Sequence, residues 1–461
     1  MKPGQMSVAW AQASIARQVS RVGAAERNSL AAFTIYVVGA TMTYGSQLVI
    51  ARLAGSGGYG VYAYVLSWMT LLAYAATLGF DISTLRFVSA YRAQEAWPLI
   101  RGVIRYTERR AAVAGLVMVA CGATWIWYRG SAELPELRLT FLAGFGLVPV
   151  WALLWIRCAR VRAYGGIIAG LIPDRLVRDG LLVIMLGAAA FVMQRHVGAT
   201  IAMWATLLSS AIGLALATVT AHRRQPPALR DARSTYAADT WRRSVLPLVT
   251  VAIGEVAMNR TGVVLLGWSG DTRAAGIYAL AFNFGLMVTL PRMAVNAWLA
   301  PTISALYARG ERAALQRVVT RASALTLVGA LGLALPIALL SGSLLAWFGH
   351  DFSAGIATLQ ILLIGQVVAA ALGSQMFLLT MTGHENAAAV LLGGAAGLNA
   401  ALSVGLIAMF GLDGAAWAAT ISVIAWNAAM GLFIWRRLRV IPGALAGFSL
   451  PRLASSHNAN P

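Results

Sequence analysis

The stretches GVYA (residues 60–63) and GIYA (residues 276–279) decide the fold. They lie 216 residues apart, and the same offset relates further identical residues without a gap. These further pairs are Tyr91 and Tyr307, Glu95 and Glu311, Leu99 and Leu315, Arg101 and Arg317, and Arg105 and Arg321. Both copies lie on long apolar segments. A duplicated bundle of membrane helices predicts a transporter that handles its substrate between the two halves.

Composition places the whole chain in a membrane. Of the 461 residues, 59% are hydrophobic and 11% are charged, against about 25% charged residues in soluble domains. We therefore predict an all-α integral membrane protein with about twelve transmembrane helices in two six-helix lobes. The segments long enough, or nearly so, to span roughly 30 Å of hydrocarbon are residues 29–50, 59–80, 111–128, 139–156, 178–194, 197–220, 245–268, 275–299, 322–349, 355–382, 386–410 and 412–435.

The basic residues predict the orientation. If both termini are cytoplasmic, 29 of the 36 Lys and Arg residues fall on the cytoplasmic side, five on the outer side and two inside helices. This bias alternates loop by loop, as the positive-inside rule requires. The net charge of +20 is then explained by topology and by attraction to anionic lipid head groups. We predict no nucleic-acid partner.

One long polar connection, residues 221–244, divides the predicted helices into halves. Its two prolines, charges of both signs and lack of an apolar run are typical of a linker. An even number of helices in each half makes the two repeats parallel. The predicted organisation is a cytoplasmic tail (1–28), an N-lobe (29–220), a cytoplasmic linker (221–244), a C-lobe (245–435) and a second cytoplasmic tail (436–461).

Glu255 and Arg260 are charged residues inside the seventh predicted helix. Such residues are costly in a membrane, so each is a candidate for function. They lie about 15 and 22 Å into that helix, and their five-residue spacing turns the side chains about 140° apart. We expect each to face a water-filled cavity or a neighbouring helix instead of the other. A buried pair or a snorkelling end group is the structural alternative.

Arg292 follows Pro291 in the eighth predicted helix, where proline should bend the helix and open space for a guanidinium. Its counterpart in the repeat is Ala76, so the charge belongs to one half only, which suggests substrate handling. The planar fork of arginine suits a phosphate group. The predicted cationic substrate site comprises Arg52, Arg86, Arg260 and Arg292, and the predicted ion-coupling residues are Glu255 and Asp81. For Arg52 and Arg86, anchoring of helix ends is the alternative.

Catalytic and cofactor motifs are missing from the sequence. It contains no GxxxxGK[ST] phosphate loop and no HExxH pair, and the five histidines are scattered through loops, the linker and the tail. The largest predicted outer loop is roughly residues 129–138. A membrane glycan polymerase or ligase usually needs a larger one. We predict a protein that is not an enzyme and has no cofactor or metal.

Four segments resemble parts of bacterial polysaccharide, or O-antigen, flippases. They are ARLAGSGGYGVYAY (51–64), LGFDISTLRFVSAY (78–91), NRTGVVLLGWSGDTRAAGIYALAF (259–282) and GLDGAAWA (411–418). The likeness covers about residues 29–436, with the four segments in the right order. That family belongs to the superfamily of multidrug, oligosaccharidyl-lipid and polysaccharide exporters.

The resemblance implies a V-shaped pair of lobes around a cavity lined by helices one, two, seven and eight. It also implies that the protein flips an undecaprenyl-pyrophosphate-linked oligosaccharide across a bacterial inner membrane, driven by a proton, sodium or substrate gradient. Implied partners are that lipid, membrane lipids, a polymerase and other proteins of O-antigen, capsule or exopolysaccharide assembly. Relatives often have Asp where this chain has Asn259, which puts a coupling role at this position in doubt. Glu255 would be its substitute.

The main alternative is a small-molecule antiporter of the multidrug type. Its cavity should be dominated by aromatic and acidic residues, with few arginines. The membrane glycan polymerase or ligase is a more distant third.

Overall fold

The computed structural model describes residues 3–129, 135–193, 197–444 and 446. Side chains are described from Thr34 onward, apart from those of residues 36, 129, 193, 243–248, 251, 297–298 and 300–301. The sequence of residues 8–19 allows either an amphipathic helix on the membrane surface or a solvated leader. No side chain is described there, so neither alternative is tested. The backbone there belongs to the first helix.

The first half of the chain forms the N-lobe. Its described helices are α1 (Pro3–Thr77), α2 (Phe80–Ala93), α3 (Trp97–Arg129), α4 (Pro135–Phe145), α5 (Leu147–Ala163), α6 (Ile167–Ile172), α7 (Arg178–Met193) and α8 (Ala199–Arg223). A π-helical turn, Pro173–Val177, joins α6 directly to α7. The short helix α9 (Ala228–Asp231) lies in the linker.

The second half forms the C-lobe. Its described helices are α10 (Ala238–Trp268), α11 (Thr272–Met287), α12 (Leu290–Ala308), α13 (Arg312–Leu339), α14 (Ser341–Ala346), α15 (Ile356–Leu372), α16 (Gln375–Met381) and α17 (Glu385–Leu438). A 3-10 turn, His350–Gly355, precedes α15. No strand occurs among the described residues of either lobe, so the predicted all-α class is confirmed.

Helix α1 folds back on itself at Gly55. This glycine has a φ of +69°, a conformation that costs glycine little because it has no Cβ atom. The hydroxyl of Tyr59 donates to Oε1 of Gln47 at 3.4 Å. In a straight helix these residues would be about 18 Å apart. The contact therefore shows that α1 consists of two antiparallel arms.

Helix α17 folds back in the same way at Gly411, whose φ is +53°. A Cβ atom on Gly414 would lie 2.0 Å from the carbonyl oxygen of Leu406, although a straight helix would separate these residues by about 12 Å. Two arms of α17 are thus packed backbone to backbone.

The chain is a multi-pass membrane protein. Seven helices in its described part are long and apolar enough to cross a membrane, or eight if the bent pair α11 and α12 is one span. Two of the seven contain the fold-backs of α1 and α17, and each of these supplies two crossings. With α10 and the charged span of α6 and α7 added, the helices account for the predicted set of about twelve.

The fifth span differs from its prediction. The sequence places it at residues 178–194, because charged residues precede that stretch. The structure begins the span at Ile167 and runs it through the π-helical turn to Met193. Asp174 is therefore inside the helix, and not in a loop before it, and Arg178 lies well within the span instead of at its first residue. The physical reason is mutual charge compensation, described below, which hydropathy averaging does not detect.

The linker is attached to the N-lobe. Nη1 of Arg101 donates to the carbonyl oxygens of Arg230 at 2.8 Å and Ala232 at 2.6 Å. The amide of Thr235 donates to the carbonyl oxygen of Pro98 at 3.0 Å. At the start of α10, the side chain of Trp241 is completely buried in the core of the N-lobe.

Candidate functional site

The lobes touch one another on the predicted outer side. Oγ of Ser56, next to the turn of α1, donates to Oδ2 of Asp351 at 2.8 Å. The same carboxylate pairs with Nη2 of Arg273 at 2.5 Å. Arg52 donates to the carbonyl oxygen of Trp347. These contacts join the turn of α1 at Gly55 to the C-lobe.

The sequence predicts that Arg52 shares a cationic cavity with the other candidate arginines, and the structure does not bring it there. Its guanidinium is exposed and bound at the outer end of the C-lobe. Tyr44, which lies close to Arg260, is eight residues away along α1, or about 12 Å. The alternative, an anchoring residue at a helix end, describes Arg52 better.

Arg260 lies in the middle of α10 and faces the N-lobe. Its guanidinium interacts electrostatically with the phenol groups of Tyr59 and Tyr44, and more weakly with those of Tyr62 and Tyr74. All four tyrosines belong to α1, on the other side of the interlobe space. The side chain is partly accessible, and among the described residues it has no hydrogen-bond or ion-pair partner. It is a free guanidinium inside an apolar bundle.

Arg292 lies in the first turn of α12, where α11 and α12 meet at a bend of 41°. Its charge interacts with that of Glu255 on α10. The two groups form no ion pair within 4.0 Å in the described part of the chain, and Glu255 is exposed. The structure therefore brings Glu255 and Arg292 together as loosely coupled charges. It leaves Glu255 and Arg260 unpaired, although they are neighbours in sequence.

Asp81 and Arg86 lie on α2, which follows a break at Leu78 and Gly79. Oδ1 of Asp81 is buried without a hydrogen-bond partner in the described part of the chain, and the charge of Asp81 interacts with that of Arg162. Arg86 is exposed, towards the predicted cytoplasmic end of the helix. Asp81 thus interacts within the N-lobe, and neither residue is among the charges that interact with Arg260 or Arg292.

Sequence reasoning missed a buried charge cluster in the N-lobe. Arg178 donates from Nη1 to Oδ1 of Asp174 at 2.7 Å and from Nε to Oδ1 of Asp179 at 3.0 Å. Thr43 of α1 donates to the other oxygen of Asp179, which is only 4% exposed. Nε1 of Trp155 donates to Asp174 at 3.2 Å. The spacing of Asp174 and Arg178, four residues apart, is the only signal that could have revealed it.

The two walls of the interlobe space therefore differ in charge. On the N-lobe side, Asp174, Arg178 and Asp179 compensate one another. On the C-lobe side, Arg260 has no partner among the described residues and Arg292 has only a loose one. No group of three or more His, Cys, Asp or Glu side chains that could hold a metal occurs in the part of the chain that the structure describes. Such an arrangement attracts an anion.

Comparison with known proteins identifies the fold. No family model and no curated protein matches the chain. An inward-facing multidrug resistance MATE family transporter of the MOP superfamily is similar, with a TM-score of 0.71 at 13% identity over 89% of this chain and 98% of that one. The lipid II flippase MurJ in an inward closed conformation gives 0.68 at 13% identity, over 88% of this chain and 87% of that one.

The fold is that of these exporters. A mutant of the Vibrio cholerae MATE transporter VcmN is a further neighbour, with a TM-score of 0.59 at 16% identity, covering 90% of this chain and 98% of that one. The predicted architecture of two helical lobes with an internal repeat is thereby confirmed. At these identities, the similarity shows the fold but does not show which substrate is bound.

Proposed function

We propose that this protein is a flippase that moves an oligosaccharide linked to a polyprenyl pyrophosphate across the bacterial inner membrane for surface polysaccharide assembly. The observation that supports the proposal is a pair of arginines without a tight partner among the described residues. Arg260 interacts with tyrosines of the N-lobe, and Arg292 lies at the bend between α11 and α12 and interacts with Glu255. A pyrophosphate offers the anionic oxygens that guanidinium groups bind. The named function of MurJ, a lipid II flippase, is similar in kind.

The physical task explains why a cavity is needed. A sugar pyrophosphate cannot cross hydrocarbon unaided, because the burial of unpaired charges and hydroxyl groups is prohibitively costly. A cationic space between two lobes would hold the head group while the lipid tail stays in the bilayer. Rocking of one lobe against the other would then expose the space to the opposite leaflet.

The outer contacts fit the inward-facing stage of such a cycle. Ser56 and Asp351 join the lobes at the predicted outer side, whereas Arg292 begins the helix that leads away from it. The head group would therefore enter from the predicted cytoplasmic leaflet. Glu255, which is loosely coupled to Arg292, is our proposed site for coupling to an ion gradient.

Binding of short-chain probes tests this proposal. Purified protein should bind farnesyl pyrophosphate, and Arg260→Ala or Arg292→Ala should each weaken binding roughly 10- to 100-fold, since hydrogen bonds to charged groups contribute about 1.5–3 kcal/mol. Arg317→Ala is the matched control, because Arg317 is exposed on α13. In cells, the first two substitutions should abolish surface polysaccharide while the protein stays in the membrane.

The multidrug alternative makes the opposite prediction. Exposed Glu255 would then bind an organic cation such as ethidium, and Glu255→Gln would abolish that binding while both arginine variants retained it. If both arginine variants bind farnesyl pyrophosphate with the wild-type affinity, the flippase proposal is wrong.

A further inference from the structure

On the N-lobe wall, the side chains that interact with Arg260 are four tyrosines of α1, and two of them are available to a ligand. Tyr59 and Tyr62 are fully buried. The hydroxyl of Tyr59 accepts from Nδ2 of Asn283 at 3.1 Å, and that of Tyr62 bonds to Oγ1 of Thr206 at 3.0 Å. These two are structural.

Tyr44 and Tyr74 differ from them. Both are only half-buried, and neither hydroxyl has a hydrogen-bond partner among the described residues. Both phenols interact with the charge of Arg260. The phenol of Tyr74 also interacts with Asp174, Asp81 and Arg175 of the N-lobe, and less strongly with Glu255 of the C-lobe. Both residues therefore face the interlobe space from the N-lobe side, with a ring surface and a free hydroxyl.

The ring of Tyr74 is held in place from behind. Its centroid lies 4.3 Å from that of Trp155, with an interplanar angle of 36°. Trp155 is in turn fixed through its indole nitrogen to Asp174, 3.2 Å away. Asp174 in turn pairs with Arg178 at 2.7 Å, so the carboxylate that holds Trp155 is itself compensated.

From this pattern we infer that Tyr44 and Tyr74, supported by Trp155, bind the sugar ring next to the pyrophosphate. This inference rests on the proposed function. A pyranose ring presents a C–H face, which packs on an aromatic ring, and hydroxyl groups, which bond to phenols. The polyprenyl tail does not fit this wall, because hydrocarbon would bury the free hydroxyls without partners.

The two walls then divide the recognition of one head group. Arg260 and Arg292 hold the phosphates on the C-lobe, and the phenols hold the saccharide on the N-lobe. Stacking on an aromatic face depends little on which hydroxyls a sugar carries, so the wall would accept different first sugars. A substrate that bridges both walls would also couple the movement of one lobe to that of the other.

Two radiolabelled probes distinguish binding at one wall from binding at the other. They are farnesyl pyrophosphate and the same lipid carrying N-acetylglucosamine on its pyrophosphate. The wild type should bind the sugar-bearing probe about tenfold more tightly, equivalent to roughly 1.4 kcal/mol. Tyr74→Ala should remove most of that preference and leave the affinity for farnesyl pyrophosphate unchanged. Tyr74→Phe should keep the part of the preference that comes from stacking on the ring. Tyr128→Ala, at a residue that is 89% exposed, is the control.

The outcomes distinguish this inference from the function on which it rests. If Arg260→Ala weakens both probes while Tyr74→Ala and Tyr44→Ala preserve the sugar preference, the aromatic subsite is wrong and the pyrophosphate site stands. Equal wild-type affinity for the two probes also overturns the subsite. If Arg260→Ala changes neither affinity, the proposed function itself fails. Size-exclusion profiles and melting temperatures of the variants show whether each is folded.

Discussion

Gly60 and Gly276, which the 216-residue repeat relates to one another, lie backbone to backbone at the contact between the lobes. A Cβ atom on Gly276 would lie 2.7 Å from Cα of Gly60, and one on Gly60 would lie 1.8 Å from the carbonyl oxygen of Thr272. An axis that relates two parallel repeats brings equivalent residues together at this place. The repeated glycine is therefore explained by close approach of α1 and α11.

Gly60→Ala should open the predicted outer side, because the methyl group forces the backbones of α1 and α11 apart. The reporter is Asn283→Cys, at a residue that is 9% exposed beneath the contact, with Cys121 and Cys158 replaced. Labelling by an impermeant maleimide in intact cells should be severalfold faster than without the alanine.

Gly276→Ala should have the same effect, because the contact is reciprocal. Gly57→Ala should have none, since a Cβ atom there meets nothing within 4 Å. Equal labelling in all three variants would show that the glycine pair does not hold the outer side closed.

Asp351→Asn should also speed labelling at position 283, but less than Gly60→Ala does. The substitution removes the ion pair with Arg273 while Ser56 keeps an oxygen to which it can donate. Glu311→Gln is the control, because its pair with Arg309 is long, at 3.9 Å, and exposed. If added salt fails to reduce the difference between wild type and Asp351→Asn, the effect is not electrostatic.

Arg178→Ala should be among the most destabilising substitutions in the N-lobe. It leaves Asp179 as a buried carboxylate without its cation, and leaves Asp174 only its longer pair with Arg175 at 3.4 Å. Breaking a buried pair typically costs about 3–5 kcal/mol. Arg178→Lys should destabilise less, because it keeps the charge but loses the forked geometry. The melting temperature of the detergent-solubilised protein measures both. A melting temperature that stays at the wild-type value in Arg178→Ala would mean that the cluster is not structural.

Arg101→Ala should release the linker from the N-lobe, because Arg101 donates to two linker carbonyl groups. Limited trypsin digestion should then cut the linker faster, while the lobes stay intact. The repeat supplies a matched control in Arg317→Ala, since Arg317 is exposed and has no such carbonyl partners in the described part of the chain. Identical digestion of both variants would contradict a fixed linker.

The sequence predicted the spans that hydropathy alone specifies and failed where polar residues compensate one another. The residues around Asp174 and Arg178 resemble the end of a loop, since a hydropathy window counts each charge as a cost. In the fold, each is paired within one helix turn, so that cost is reduced. The site shows the same limit. Arg260 stands out in the sequence because it is a charge inside an apolar span, whereas Tyr44 and Tyr74 give no signal without the opposing lobe.

The sequence by itself determines that the protein lies in a membrane and has two lobes related by a parallel repeat. Hydrophobic length and a recurring residue pattern can be read directly from the chain, because both are local properties. Which charges remain unpaired was decided only by folding. Arg52 and Arg260 look alike in sequence, yet one binds a carbonyl group at the outer rim and the other faces four phenols of the opposite lobe. The difference arises because partners of a charge in a helical bundle come mainly from other helices, and only packing brings these together.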